Sequence, residues 1–223
     1  MTEILLIRHG VTKGNAERRY IGSTDESLLP SEAERFGKMR RALLEKNACF
    51  AQLTRVFVSP LKRCLETAAL LFPEAFPIAV PDLRECDFGE FEYRNYEELK
   101  NEPAYQTFID TMGASGFPGG ESREGFSKRC AEAFSSVCRE AVRDRGETAG
   151  RKAEEPLVFV VHGGTIMAVM EAFAEPHRDY YDWQVKPGEG YTGSLVLREG
   201  RPVIEGAKSL FEKPPGAAEE GER

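Results

Sequence analysis

Three short, unbroken apolar runs constrain this chain more than any other feature, and each ends abruptly in polar residues. Ile4 to Ile7 stops at Arg8-His9-Gly10, Val56-Phe57-Val58 stops at Ser59-Pro60, and Leu157 to Val161 stops at His162-Gly163-Gly164. Runs this short, apolar throughout and rich in β-branched residues, read as strands covered on both faces. Helical patterns lie between and after them, at Ser31 to Glu45, Leu61 to Leu71 behind Pro60, Arg123 to Val142, and Thr165 to Phe173. Strands alternating with helices predict an α/β fold with a parallel sheet sandwiched between helical layers. Ligands of such sheets bind beyond the carboxyl ends of the strands, which is where the three polar endings fall. Near the end of the chain, Ser194 to Arg198 and Arg201 to Glu205 read as two strands around a turn at Glu199-Gly200.

With 223 residues the chain has room for one domain and little more. We assign that domain to residues 1–211. Residues 212–223, which combine Pro-Pro, Gly and glutamates, are expected to form a disordered tail. Residues 143–156 are charged and lack apolar periodicity, so they are expected to be an exposed helix end and loop. No stretch approaches the roughly 18 consecutive apolar residues of a membrane span. The opening run lacks a basic leader and a small-residue cleavage site, so it reads as a first strand and not as a signal peptide. Five cysteines without C-x-x-C spacing suggest neither a disulfide framework nor a zinc site, and point to a reducing, cytoplasmic setting. The net charge of −7 argues against nucleic acid as a partner, and the oligomeric state cannot be read from the sequence. An acidic protein can still bind an anion if its arginines converge locally.

The chain has three histidines, and two of them, His9 and His162, share one context: an apolar strand, then His, then Gly. A lone histidine is as often structural as chemical, but two at equivalent strand ends are harder to dismiss. Arg8 stands at the end of a buried strand, where an unpaired cation is costly, so it calls for an anion. Arg63 lies early in the helix after the second strand. Guanidinium groups present planar forks of donors that match phosphate oxygens. Arg18, Arg19, Arg40 and Arg41 read instead as solvated surface residues. The helix N-termini after Pro60 and at Gly163-Gly164 should add backbone N–H donors to the same region.

These residues fall into a longer pattern. Leu6-Ile7-Arg8-His9-Gly10 with Thr12 and Asn15, then Arg19-Tyr20-Ile21-Gly22 with Asp25, resembles the opening signature of the histidine phosphatase superfamily, the phosphoglycerate-mutase-like proteins. Ser59 to Ala68 is similar to the second arginine motif, and Leu83 to Glu92 to the segment that carries the catalytic acid. Pro118-Gly119-Gly120-Glu121-Ser122 and Val161 to Gly164 complete the set. The resemblance implies a three-layer α/β/α sandwich with a mostly parallel central sheet. It also implies a metal-independent enzyme without cofactors that acts on a small phosphate ester.

By this resemblance His9 is the nucleophile, neutral at its attacking nitrogen, and Arg8, Arg63 and His162 surround the phosphoryl group. His162 would be protonated or act as a hydrogen-bond donor. Asn15 and the backbone at Gly163 would add neutral donors. Glu85 would serve as general acid and later as base, which needs a pKa raised toward neutrality. Glu90 and Glu92 are the competing carboxylates. Two positions depart from the family pattern: Val11 replaces a common acidic residue, and Phe91-Glu92-Tyr93 stands where Trp-Glu-Gly is usual, so Tyr93 could project into or over the pocket.

The stretch after the acid segment carries Glu97, Glu98, Glu102 and Asp110 against Lys100, whereas related mutases carry a basic insertion there. Hydrolysis is therefore expected over transfer between hydroxyls, with small bacterial phosphatases of the α-ribazole phosphatase type as the nearest pattern. Phosphoglycerate mutase is the alternative. A non-catalytic phospho-ligand-binding module is a third reading, weakened because such proteins usually lose one of these residues.

Overall fold

A computed structural model describes residues 1–147 and 155–210. In chain order the elements are β1 (Thr2–Arg8), α1 (Lys13–Ala16), α2 (Glu32–Lys46), β2 (Arg55–Val58), α3 (Lys62–Leu71), β3 (Phe76–Ala79), α4 (Tyr96–Leu99), α5 (Pro103–Asp110), α6 (Arg123–Glu147), β4 (Leu157–Val161), α7 (Gly163–Phe173), β5 (Ala174–Glu175), β6 (Gly190–Arg198) and β7 (Arg201–Ser209). The strands form one seven-stranded sheet in the order β3-β2-β4-β1-β6-β7-β5. Its first four strands are parallel, and β6 runs antiparallel to both β1 and β7. The fold is α/β, with a mostly parallel sheet between helical layers.

The unbroken apolar runs follow from this layering. Successive strand side chains point to opposite faces, so a strand covered on both sides has no polar position to spare. Ile4 and Leu6 of β1, with Leu157, Phe159 and Val161 of β4, pack on one face against Phe134 of α6 and Ile166 and Met170 of α7. Leu5 and Ile7, with Val158 and Val160, pack on the other against Phe36 of α2 and Cys64 and Ala68 of α3. Phe159 is fully buried between the rings of Phe57 and Phe134, at centroid distances of 5.2 and 5.1 Å.

The three expected strands and four expected helices are all present, with no end shifted by more than five residues. The late pair of strands is a hairpin on the edge of β1, and both of its turn residues have positive φ, 52° at Glu199 and 78° at Gly200. Two-residue hairpin loops of this kind match the right-handed twist of the strands, and the second position suits glycine. α6 runs on to Glu147, beyond the expected Val142. The rest of the expected loop up to residue 154, and the expected tail at 212–223, lie outside the described residues. No helix among the described residues is long and apolar enough to cross a membrane.

Candidate active site

The carboxyl ends of β1, β2 and β4 are drawn together by the sheet: His9 N–H donates to Val161 O at 3.0 Å, and Ser59 N–H to Val160 O at 3.1 Å. His9 follows β1 directly and is 3% exposed. Its Nδ1 lies 2.7 Å from Gly10 O. A carbonyl can only accept, so the proton sits on Nδ1, and Nε2, which has no partner among the described residues, keeps its lone pair. Burial, and then the guanidinium groups of Arg63 and Arg8, hold the imidazole well below the usual histidine range. The loop behind it is pinned by Gly10 N–H to Thr67 Oγ1 at 3.0 Å and by Val11 N–H to Glu32 Oε2 at 2.9 Å.

His162 caps α7, and its ring meets that of His9 edge-on at 5.1 Å. Arg63 Nε–H donates to His162 Nδ1 at 3.3 Å, so the proton lies on Nε2, which donates to Ser59 Oγ at 2.7 Å. Of the two expected forms, protonated or neutral donor, the geometry selects the neutral one. Burial and the charge of Arg63 act in the same direction. Arg63 is itself fully buried, which a cation tolerates only with dense hydrogen bonding. It donates to Thr24 O at 2.7 Å and Gly22 O at 2.8 Å, tying the segment after α1 to the site.

Arg8 bonds Val185 O at 2.7 Å through one terminal nitrogen, while its buried Nε has no partner among the described residues. An orphaned buried donor costs about 1–3 kcal/mol until something accepts from it. Gly163 lies against this guanidinium: a Cβ there would come within 3.3 Å of the Arg8 Cζ. Asn15 Oδ1 accepts from Thr12 N–H at 3.3 Å in a capping box, which leaves the amide nitrogen without a partner among the described residues.

Glu85 accepts from Cys86 N–H at 2.9 Å and from Gly164 N–H, at the start of α7, at 3.3 Å. Burial raises its pKa, against these hydrogen bonds and the charges of Arg63 and Arg8. A Cβ on Gly164 would collide with Glu85 Oε1, so close approach requires glycine at this turn. Arg8, Glu85, Gly163 and Gly164 line one end of a cavity of about 440 Å³. His9, His162 and Arg63 touch one another at the strand ends, Gly163 lies against Arg8, and Glu85 reaches Gly164, while Asn15 sits in its capping box after β1.

Two expectations are corrected. No residue of α3 lines the cavity, and the first donor at its N-terminus, Lys62 N–H, is taken by Asp25 Oδ1 at 2.7 Å. Tyr93 does not line the cavity: its backbone is left-handed, at φ 60°, and its ring lies under the Arg19 guanidinium at 5.2 Å. Glu92 is structural, accepting from Gly22 and Thr24 N–H groups at 2.9 and 2.8 Å, and Glu90 is exposed.

Sequence reasoning missed Ser59 as the partner of His162, and missed the clamp on the acid segment. Arg129 of α6 donates to Asp82 O and Arg84 O, at 2.8 and 3.2 Å, and pairs with Glu121, which in turn accepts from Asp87 N–H at 3.0 Å. Glu121 belongs to a quoted motif, but nothing local in the sequence links it to Arg129. Among the described residues no group of three or more His, Cys, Asp or Glu side chains is placed to hold a metal ion.

The model of the histidine phosphatase superfamily, branch 1, matches residues 4–208. A metal-independent phosphoserine phosphatase of Arabidopsis thaliana is 30% identical over 182 residues, 76% of this chain and 67% of that protein. Phosphoglycerate mutase-like protein 4 of the same plant is 29% identical over 175 residues, 76% of this chain and 70% of its own length. The crystal structure of the α-ribazole phosphatase from Shigella flexneri superposes with a TM-score of 0.66 at 20% identity, covering 91% of this chain and 94% of that one, a likeness of fold.

Proposed function

Because this chain belongs to the histidine phosphatase superfamily, branch 1, we propose that it is a metal-independent phosphomonoesterase that works through a phosphohistidine on His9. The observation that carries this reading is the state of His9: one nitrogen is protonated and fixed on Gly10 O, the other is bare, and Arg8, Arg63 and His162 stand around it. Nε2 attacks phosphorus, and the bond to the leaving oxygen breaks. Arg8, with its orphaned Nε, and the open amide of Asn15 supply donors to the equatorial oxygens, and Arg63 contributes fixed positive charge. Phosphoryl transfer depends mainly on positioning and electrostatic stabilisation, which fixed cations can provide.

Glu85, whose pKa burial raises, gives its proton to the leaving alkoxide. Ionised after that step, it takes a proton from the water that attacks the phosphohistidine, returning His9 to its starting state. His162 keeps the cage in register by joining Arg63 to Ser59. Hydrolysis is favoured over mutase chemistry because a retained bisphosphate needs a second set of cations. Among the described residues the only further cation lining the cavity, Arg123, is already paired with Glu171 at 3.3 Å. Glu97, Glu98 and Glu102 spend their charge on Lys100, Arg19 and Arg94 outside it. A small phosphate ester is the expected partner, α-ribazole phosphate being the specific candidate, and five free thiols fit a cytoplasmic location.

The test is phosphate release from p-nitrophenyl phosphate in the presence of EDTA, with an alkaline detergent quench to trap the phosphoprotein. Turnover with an acid-labile phosphoenzyme is expected, and its absence would overturn the reading. Phosphate exchange into 3-phosphoglycerate in the presence of 2,3-bisphosphoglycerate, faster than hydrolysis, would establish the mutase instead.

A further inference from the structure

Beyond Glu85 the cavity changes character. One side is formed by Phe88, Phe108 and Phe117, whose rings pack at centroid distances of 4.8 Å (Phe88–Phe117) and 4.7 Å (Phe108–Phe117). Tyr20 continues this cluster at 5.3 Å from Phe88. Phe126, Met167, Tyr180 and Tyr181 line the same cavity, with the Arg123 guanidinium over the last two rings at 4.5 and 5.3 Å. The polar tips of these residues are largely spent within the protein. Tyr20 and Tyr105 share a hydrogen bond at 3.2 Å, Tyr180 OH donates to Gly164 O at 3.4 Å, and Arg123 is paired with Glu171. Apolar surface, most of it aromatic side chains, dominates the lining that remains.

We propose that the alcohol half of the substrate carries an aromatic ring, seated among Phe88, Phe108, Phe117 and Tyr181 while its phosphate lies on Arg8 and His9. This rests on the phosphomonoesterase reading and adds the class of leaving group. The wall discriminates by what it lacks as well as by what it offers. A serine leaving group would bring an ammonium ion beside no carboxylate but Glu85, which must stay protonated to act. A glycerate carboxylate would have to take Arg123 from Glu171. Beyond Glu85 and Arg123 the only lining side chain free to replace their hydration, among the described residues, is the neutral amide of Gln184, which leaves a charge poorly compensated. A neutral ring instead removes apolar surface from water and gains edge-to-face contacts.

The experiment compares esters of primary alcohols, so that chemistry at phosphorus is alike: 2-(1-naphthyl)ethyl phosphate against O-phospho-L-serine and glycerol phosphate. The naphthyl ester is expected to show kcat/KM higher by about tenfold or more, mostly through KM. Equal or reversed values overturn the inference while leaving the phosphomonoesterase reading in place. Tyr181→Ala, at a half-exposed position that should not disturb folding, is expected to lower the naphthyl-to-serine ratio by about threefold; an unchanged ratio counts against the seat. Binding is measured in parallel with the phosphonates 2-(1-naphthyl)ethylphosphonate and 2-amino-3-phosphonopropionate. If no ester turns over but the naphthyl phosphonate binds about tenfold tighter, the aromatic class stands and the catalytic reading falls. Equal binding removes the aromatic class.

Discussion

In the buried floor of the site, apart from the cavity lining, His9, Arg63 and His162 are 3%, 0% and 0% exposed, and each is held by a bond to backbone or to a neighbouring side chain. At the outer wall Tyr181 is 53% exposed, and Phe108 and Phe117, on a short helix and a turn, are only partly buried. The floor stands on strand ends shared by the whole sheet, so its geometry can be displaced only by disturbing the core. The outer part of the wall, Phe88, Phe108 and Phe117, comes from short segments whose rings pack on one another, while Phe126 and Met167 come from α6 and α7. A fixed floor suits an invariant phosphoryl group, and a locally built wall suits a variable leaving group.

Substitutions that separate the two regions sharpen this contrast. The largest effect is expected at the floor: His9→Ala should lower turnover by roughly 10⁴-fold or more and abolish the acid-labile phosphoenzyme, with the thermal midpoint little changed. Wild-type turnover in this variant would exclude His9 as nucleophile. Glu85→Gln stands next, with a loss of about 10²–10⁴-fold for alkyl esters and much less for p-nitrophenyl phosphate, whose leaving group needs no proton. The sign of the pH dependence follows from the same group. Glu85 must be protonated to act as acid and burial raises its pKa, so kcat/KM for alkyl esters should fall as pH rises through that raised value. Glu85→Gln should lose this alkaline limb. His9, held well below its usual range, should add no acid limb where free histidine titrates.

Arg129→Leu is expected to cost about tenfold in kcat and to move the alkaline limb, because it frees the backbone that aims Glu85. A loss confined to stability, with the pH profile intact, would deny Arg129 that positioning role. The smallest effect is expected at Tyr93→Gly. Since Tyr93 belongs to neither floor nor wall, the ratio of aromatic to serine esters should stay within about twofold of wild type. A larger change would extend the wall to that position.

Much of the floor was legible because it is written in contiguous residues. A both-faces-buried strand has to be apolar throughout, so its end stands out, and Arg8-His9-Gly10 and His162-Gly163-Gly164 follow directly. The roles of Ser59, Glu121 and Arg129 were not legible. Each acts through a partner 8 to 103 residues away, and no local pattern marks such a pairing. Tyr93 shows the opposite error: its position in a quoted motif suggested the pocket, but a left-handed backbone and a stacked arginine turn it outward.

The sequence by itself determined the strands, the order of the main helices, and which histidines and arginines end beside one another, because apolar periodicity and chain connectivity are local properties. Only the tertiary structure decided the protonation states of His9 and His162, the raised pKa of Glu85 and the aromatic lining of the cavity. Those depend on burial and on donors and rings brought from distant segments, and they exist only once the sheet and its helices have closed around them.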